Sequence, residues 1–170
     1  MKSKTLIQQM AAGALALGMW STQAAAEPKI QVALLLDDSG SMSGLIEQAK
    51  SQLWTFVNEF ATSKKEGKAP RIQVALYRHG GPVRKVIELT DDLDLLSEKL
   101  FAVKIAGNGS EHCGEVIKAA ADNLAWSASA EDLKVIFIAG NEAFTQGPVN
   151  YKDACKTAIE KGIVVNTIHC

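Results

Sequence analysis

The sequence predicts an α/β fold of three layers: a Rossmann-like, mainly parallel central sheet, helices on both faces, and one antiparallel edge strand. Three observations carry that expectation. Strand-like and helix-like stretches alternate along the chain, the pattern of parallel strands joined by crossover helices. Val32 to Leu36 is an unbroken apolar run, long enough for a strand buried on both faces. The link His79-Gly80-Gly81-Pro82 joins two further strands and is too short for a crossover, so those two run antiparallel.

The first strand, Val32–Leu36, breaks into Asp37, Asp38, Ser39, Gly40 and Ser41. From Ser43 to Ser63, Leu45, Ala49, Leu53, Phe56, Val57 and Phe60 recur at helical spacing and form one apolar stripe. Lys64–Pro70 is a polar loop. Arg71–Arg78 and Val83–Leu89 are the hairpin-linked strands. Thr90, Asp91 and Asp92 open a helix that runs to about Phe101. Lys104–Glu111 is a glycine-rich loop and His112–Ala125 a helix with Val116, Ile117, Ala120 and Leu124 inward. Leu133–Ala139 is a fourth strand, Gly140–Asn150 a loop, Tyr151–Lys161 a helix and Gly162–Ile168 a fifth strand. No internal repeat or low-complexity segment interrupts this order.

The stretch from Ile30 to Met42, IQVALLLDDSGSM, sets the function. It places a carboxylate and two hydroxyls on a strand-to-helix turn, at the edge where open α/β sheets hold their ligands. Asp37-x-Ser39-x-Ser41 supplies hard oxygen donors suited to Mg²⁺, Mn²⁺ or Ca²⁺. The same residues also suit a helix start, with Ser41 or Ser43 as cap and Asp37 facing the positive end of the helix dipole. This turn, directly after an apolar strand, resembles the first metal-binding motif of von Willebrand factor type A domains. The order of elements matches that family over nearly the whole chain after residue 26, including the hairpin-linked edge strand.

The resemblance implies a divalent cation at Asp37, Ser39 and Ser41, with an open coordination position for an acidic group of a partner. The family's second motif aligns with Gly109-Ser110-Glu111-His112-Cys113-Gly114. Glu111 falls where a threonine ligand is usual, with Ser110 beside it, so Glu111 or Ser110 is the expected contact. A helix-opening acid is the competing role for Glu111. In the third motif Gly140 stands at the aspartate position, and Asn141 or Glu142 is left to replace it if the loop bends inward. The family fold adds another strand and a closing helix that this sequence does not contain. Ile163–Ile168 would otherwise be an open edge, so a C-terminally incomplete domain is expected over residues 27–170.

Residues 1–26 read as a Sec-type signal peptide: Lys2 and Lys4, an apolar core from Met10 to Met19, then Ala24-Ala25-Ala26. Its Ala-rich form is bacterial in character, which points to a periplasmic or secreted protein. Without Lys2 and Lys4, 16 basic residues face 19 acidic ones, a net charge of −3. That balance offers no nucleic-acid footprint, and no later stretch is built for membrane insertion. The roughly 145 residues that remain suffice for one domain with a real core.

Enzyme motifs fail on spacing. The aspartate pair of haloacid-dehalogenase-like phosphatases is broken by Ser39, and Met42 occupies the serine position of a nucleophile elbow in Gly40–Gly44. Position 112 is His where a dinucleotide fingerprint needs glycine. The expected function is therefore an exported, non-enzymatic binding domain for a protein or peptide. Two alternatives stay open: a structural or assembly domain whose metal site has decayed, and a metal-assisted hydrolase using Asp37, Asp38 and Glu111. His79, His112 with Cys113, and His169 with Cys170 also reach one sheet edge in this reading, where imidazole and thiolate would suit a softer metal. Three cysteines in an oxidising compartment imply one disulfide and one thiol, and the pair is expected to include Cys155.

Overall fold

The computed structural model describes residues 29–64, 69–106 and 109–170. The expected signal segment, and parts of the polar and glycine-rich loops, lie outside these. Among the described residues five strands form one sheet in the order β3-β2-β1-β4-β5. They are β1 (Lys29–Asp37), β2 (Arg71–His79), β3 (Arg84–Thr90), β4 (Leu133–Gly140) and β5 (Ile163–His169). All neighbouring pairs are parallel except β2 with β3, the hairpin. Among the described residues four α-helices complete the layers: α1 (Ile46–Thr62), α2 (Leu93–Ala102), α3 (Cys113–Asn123) and α4 (Tyr151–Glu160).

The alternation of side chains along each strand sorts the core into two halves. Val32, Leu34, Leu36, Val74, Leu76, Val135 and Phe137 face α1 and α2. Ala33, Leu35, Ala75, Tyr77, Ile136 and Ile138 face α3 and α4. Leu34, Leu35 and Leu36 are all fully buried, each contributing roughly 2 kcal/mol of transfer free energy. β1 lies at the centre with neighbours on both sides, which is why its sequence is apolar without alternation. Phe56 of α1 stacks on Phe137 of β4 at 5.0 Å between centroids, fixing that helix over the sheet.

The stripe from Ser43 becomes an α-helix only at Ile46. A single 3₁₀ turn, Gly40–Met42, comes first, and Gly44 at φ +89° interrupts the right-handed path. Asp92 opens α2 by accepting the Leu95 N–H at 2.9 Å. The expected disulfide is corrected: Cys113, Cys155 and Cys170 are all free thiols. Cys155 packs with the α3/α4 half of the core and Cys170 with the α1/α2 half, so the sheet separates them. Cys113 shares the side of Cys155 but sits in the core at the start of α3. No helix of the described residues is long and apolar enough to cross a membrane.

Candidate functional site

Asp37 ends β1 at the carboxyl edge of the sheet and is 1% exposed. Its Oδ1 accepts the Ser39 N–H at 2.8 Å, while its Oδ2 is buried with no hydrogen-bond partner among the described residues. The Ser39 and Ser41 hydroxyls lie 2.9 Å apart. Ser41 Oγ donates to Asn141 Oδ1 at 3.0 Å, and Asn141 Nδ2 returns a bond to the Ser41 carbonyl at 3.2 Å. Asp37, Ser39, Ser41 and Asn141 thus form one linked oxygen-rich turn between β1 and β4.

Helix capping does not account for these hydroxyls. The 3₁₀ turn has Ser39 at its N-cap and α1 has Leu45, and neither position makes a side-chain cap bond. Glu111 is buried just before α3, whose N-cap is His112, and its N–H donates to Gln146 Oε1 at 3.2 Å. Ser110 beside it is exposed. Burial pushes the Asp37 carboxyl above the usual carboxylate range. The bonds from Ser39 oppose that shift, and the Glu111 and Asp38 carboxylates add to it. Glu111 and Asp37 therefore share one low-dielectric neighbourhood.

Gly140, at the third-motif position, stands directly against Asp37. A Cβ there would sit 3.1 Å from Asp37 Oδ2 and 3.2 Å from its Cβ, so this packing favours glycine. Asn141 is the loop residue that turns inward, while Glu142 makes no hydrogen bond or ion pair among the described residues. Asp38 takes a different path. It pairs with Arg78 of β2, its N–H donates to the His79 carbonyl at 2.8 Å, and its carbonyl accepts from Ala106 at 3.0 Å.

The histidines and cysteines do not converge as a soft-metal site. His79 is fully buried with both ring nitrogens unpartnered among the described residues, and burial holds its pKa down to about 4 with His112 adding to the effect. His112 Nδ1 is instead bonded to Glu115 at 2.9 Å, and His169 is exposed. Burial pushes the Cys113 thiol up to about 12, far from thiolate. Among the described residues no three His, Cys, Asp or Glu side chains are placed to hold a metal by themselves.

Sequence reasoning treated the β2–β3 link as a plain turn and missed what flanks it. Arg78 and Arg84 are direct cross-strand partners at the hairpin mouth, beside a cavity of about 180 Å³. Their spacing around Gly80-Gly81-Pro82 was the available signal.

The family model for the von Willebrand factor type A domain matches residues 31–170. No curated protein matches in sequence. Among solved structures, the protein BatB from Bacteroides thetaiotaomicron superposes with a TM-score of 0.67 at 21% identity, covering 82% of this chain and 66% of that one. Proximal thread matrix protein 1 from the mussel byssus, with a zinc-occupied MIDAS motif, gives 0.65 at 14% identity, covering 84% and 36%. The vWF domain of the type V pili tip protein Mfa5 from Porphyromonas gingivalis gives 0.55 at 18% identity, covering 69% and 39%. This chain thus spans less than two thirds of the length of these solved proteins. With the match running over residues 31–170, most of the chain, the chain belongs to the von Willebrand factor type A domain family.

Proposed function

We propose that the chain is an exported, non-enzymatic binding domain that recognises a protein or peptide partner at the carboxyl edge of its sheet. A divalent cation of the Mg²⁺, Mn²⁺ or Ca²⁺ kind contributes to that recognition, held by Asp37, Ser39 and Ser41, with Glu111 as the second carboxylate. One observation carries the reading. Among the described residues Asp37 Oδ2 is buried without a partner, beside two hydroxyls that cap no helix. An orphaned buried carboxylate oxygen is costly, and a cation offsets that cost. The donors are all hard oxygens, so they fit the proposed ions. When bound, the cation supplies positive charge and Lewis acidity toward an acidic group of the partner.

Members of this family mediate protein–protein interaction and often use such a metal site. The mussel protein holds zinc in its own motif, which supports a metal-binding role for the turn. The signal-like residues 1–26 support export, as does similarity to a pilus tip domain. Gly140 and the Ser41–Asn141 bond favour one second reading, a structural domain in which the site has decayed.

Thermal unfolding of the metal-free protein, with and without each cation, separates the two. At a hundredfold over Kd a cation stabilises by about 2.7 kcal/mol, and Asp37→Ala removes the effect. No shift with Mg²⁺, Mn²⁺ or Ca²⁺ at millimolar concentration would sink the metal-dependent reading and leave the structural one.

A further inference from the structure

The cavity at the hairpin mouth is lined by Arg78, Arg84 and Asp38. Arg78 and Arg84 stand directly opposite each other on antiparallel strands, an arrangement that repels unless a negative charge lies between. Arg78 is only 22% exposed and is paired with Asp38. Arg84 makes no ion pair or side-chain hydrogen bond among the described residues, yet it lines the same cavity. Gly80, Gly81 and Ala106 complete the wall with little side chain. Gly80 is required where it stands, because a Cβ there would meet the Ser39 nitrogen at 2.4 Å. That contact also puts the cavity next to the Asp37-Ser39-Ser41 turn.

We infer that this cavity is a carboxylate subsite, which takes an acidic side chain of the protein partner next to the cation site. The charge balance selects the ligand. Two guanidinium groups and the Asp38 carboxylate leave one net positive charge, which matches a singly charged carboxylate better than a dianionic phosphate. The guanidinium fork offers paired N–H donors to two carboxylate oxygens, a geometry that a lysine could not reproduce. The inference rests on the proposed reading only in placing the partner at this edge; the anion site itself needs no cation.

The test uses metal-free, ¹⁵N-labelled protein titrated at constant ionic strength with acetate, with N-acetylglutamate amide, and with inorganic phosphate. Backbone shifts centred on Gly80, Gly81 and Arg84 are expected with both carboxylates, and weaker ones with phosphate. Arg84→Ala is expected to weaken the carboxylate response about tenfold or more, as loss of charge-assisted hydrogen bonds would. Arg84→Lys should recover only part of it. Arg84 is exposed, so these variants are expected to fold, and the spectrum reports that directly. Shifts insensitive to Arg84→Ala would overturn the subsite. Tighter binding of phosphate would overturn the carboxylate assignment. Absence of a Mg²⁺ effect alongside an intact carboxylate response would count against the cation reading alone.

Discussion

Asp37 and Asp38 are sequence neighbours, both buried at the same sheet edge, yet the protein treats their charges in opposite ways. Asp38 meets a guanidinium from β2. Asp37 meets one backbone N–H and a second carboxylate, and keeps an oxygen unpaired. The contrast extends along the strands. Among the described residues Asp37, Tyr77 and His79 leave buried polar atoms with neither a hydrogen bond nor an ion pair, whereas Asp38 Oδ2, which also makes no hydrogen bond, has the Arg78 guanidinium against it. The Asp38–Arg78 ion pair is balanced from within, whereas Arg84 opposite Arg78 makes no ion pair among the described residues. A buried charge that is balanced from within needs no ligand, and one that is not marks a place for one.

The largest expected effect comes from breaking the balanced side. Asp38→Ala strands Arg78, and removing one partner of a buried pair costs about 3–5 kcal/mol. Arg78 keeps some access to water, so a loss of about 2–3 kcal/mol is expected by urea denaturation at pH 7. The cation-dependent stabilisation should survive that substitution. Asp37→Ala should do the reverse, abolishing the cation effect of about 2.7 kcal/mol. Asp37→Asn should even raise the melting temperature of the metal-free protein, since the buried charge goes. Equal cation responses in the two alanine variants would erase the distinction between the carboxylates.

His79 sharpens the comparison through pH. Its folded pKa of about 4 lies below the ordinary value of 6.5, so between these values the unfolded chain binds more protons. Its stabilising contribution is complete above about pH 6.5 and is lost as pH falls toward 4. Denaturation midpoints at pH 7, 5.5 and 4.5 should therefore drop progressively, and His79→Leu should flatten that slope. An unchanged slope in the variant would show that another group carries the acid sensitivity.

Most of the fold was legible because its signals are local. The unbroken Val32–Leu36 run, the four-residue hairpin link and the helical stripe after Ser43 each report a backbone period. The start of α1 was not, because the amino-acid pattern continues through Gly44 while the backbone does not. The cysteines failed for a related reason: a strand-end side chain can face either layer, and only the folded chain places Cys155 and Cys170 on opposite ones. The arginine cavity was hidden because Arg78 meets Arg84 through cross-strand register, which composition does not reveal. The oxygen-rich turn was visible as a spacing, whereas Asn141 needed the β4 loop to bend inward.

Asn141 gives the smallest and most discriminating effect. It holds Ser41 by two bonds, one to the hydroxyl and one to the carbonyl, across the gap between β1 and β4. Both bonds are solvent-exposed, and a typical net hydrogen bond is worth about 1 kcal/mol, so Asn141→Ala should cost about 1 kcal/mol or less. Its effect on the cation should be larger than its effect on folding, and the sign tells which role it plays. If Asn141 positions the Ser41 hydroxyl, the alanine variant loses cation affinity, because the serine is free to rotate away. If Asn141 instead occupies the hydroxyl as a substitute for a ligand, removing it frees Ser41 and affinity rises. The Ser41 hydroxyl is already the donor in its bond to Asn141, so a lone pair stays available for a cation, and loss of affinity is the expected result. Isothermal titration with Mn²⁺ on both proteins measures it, and a gain in affinity would assign Asn141 to the decayed site.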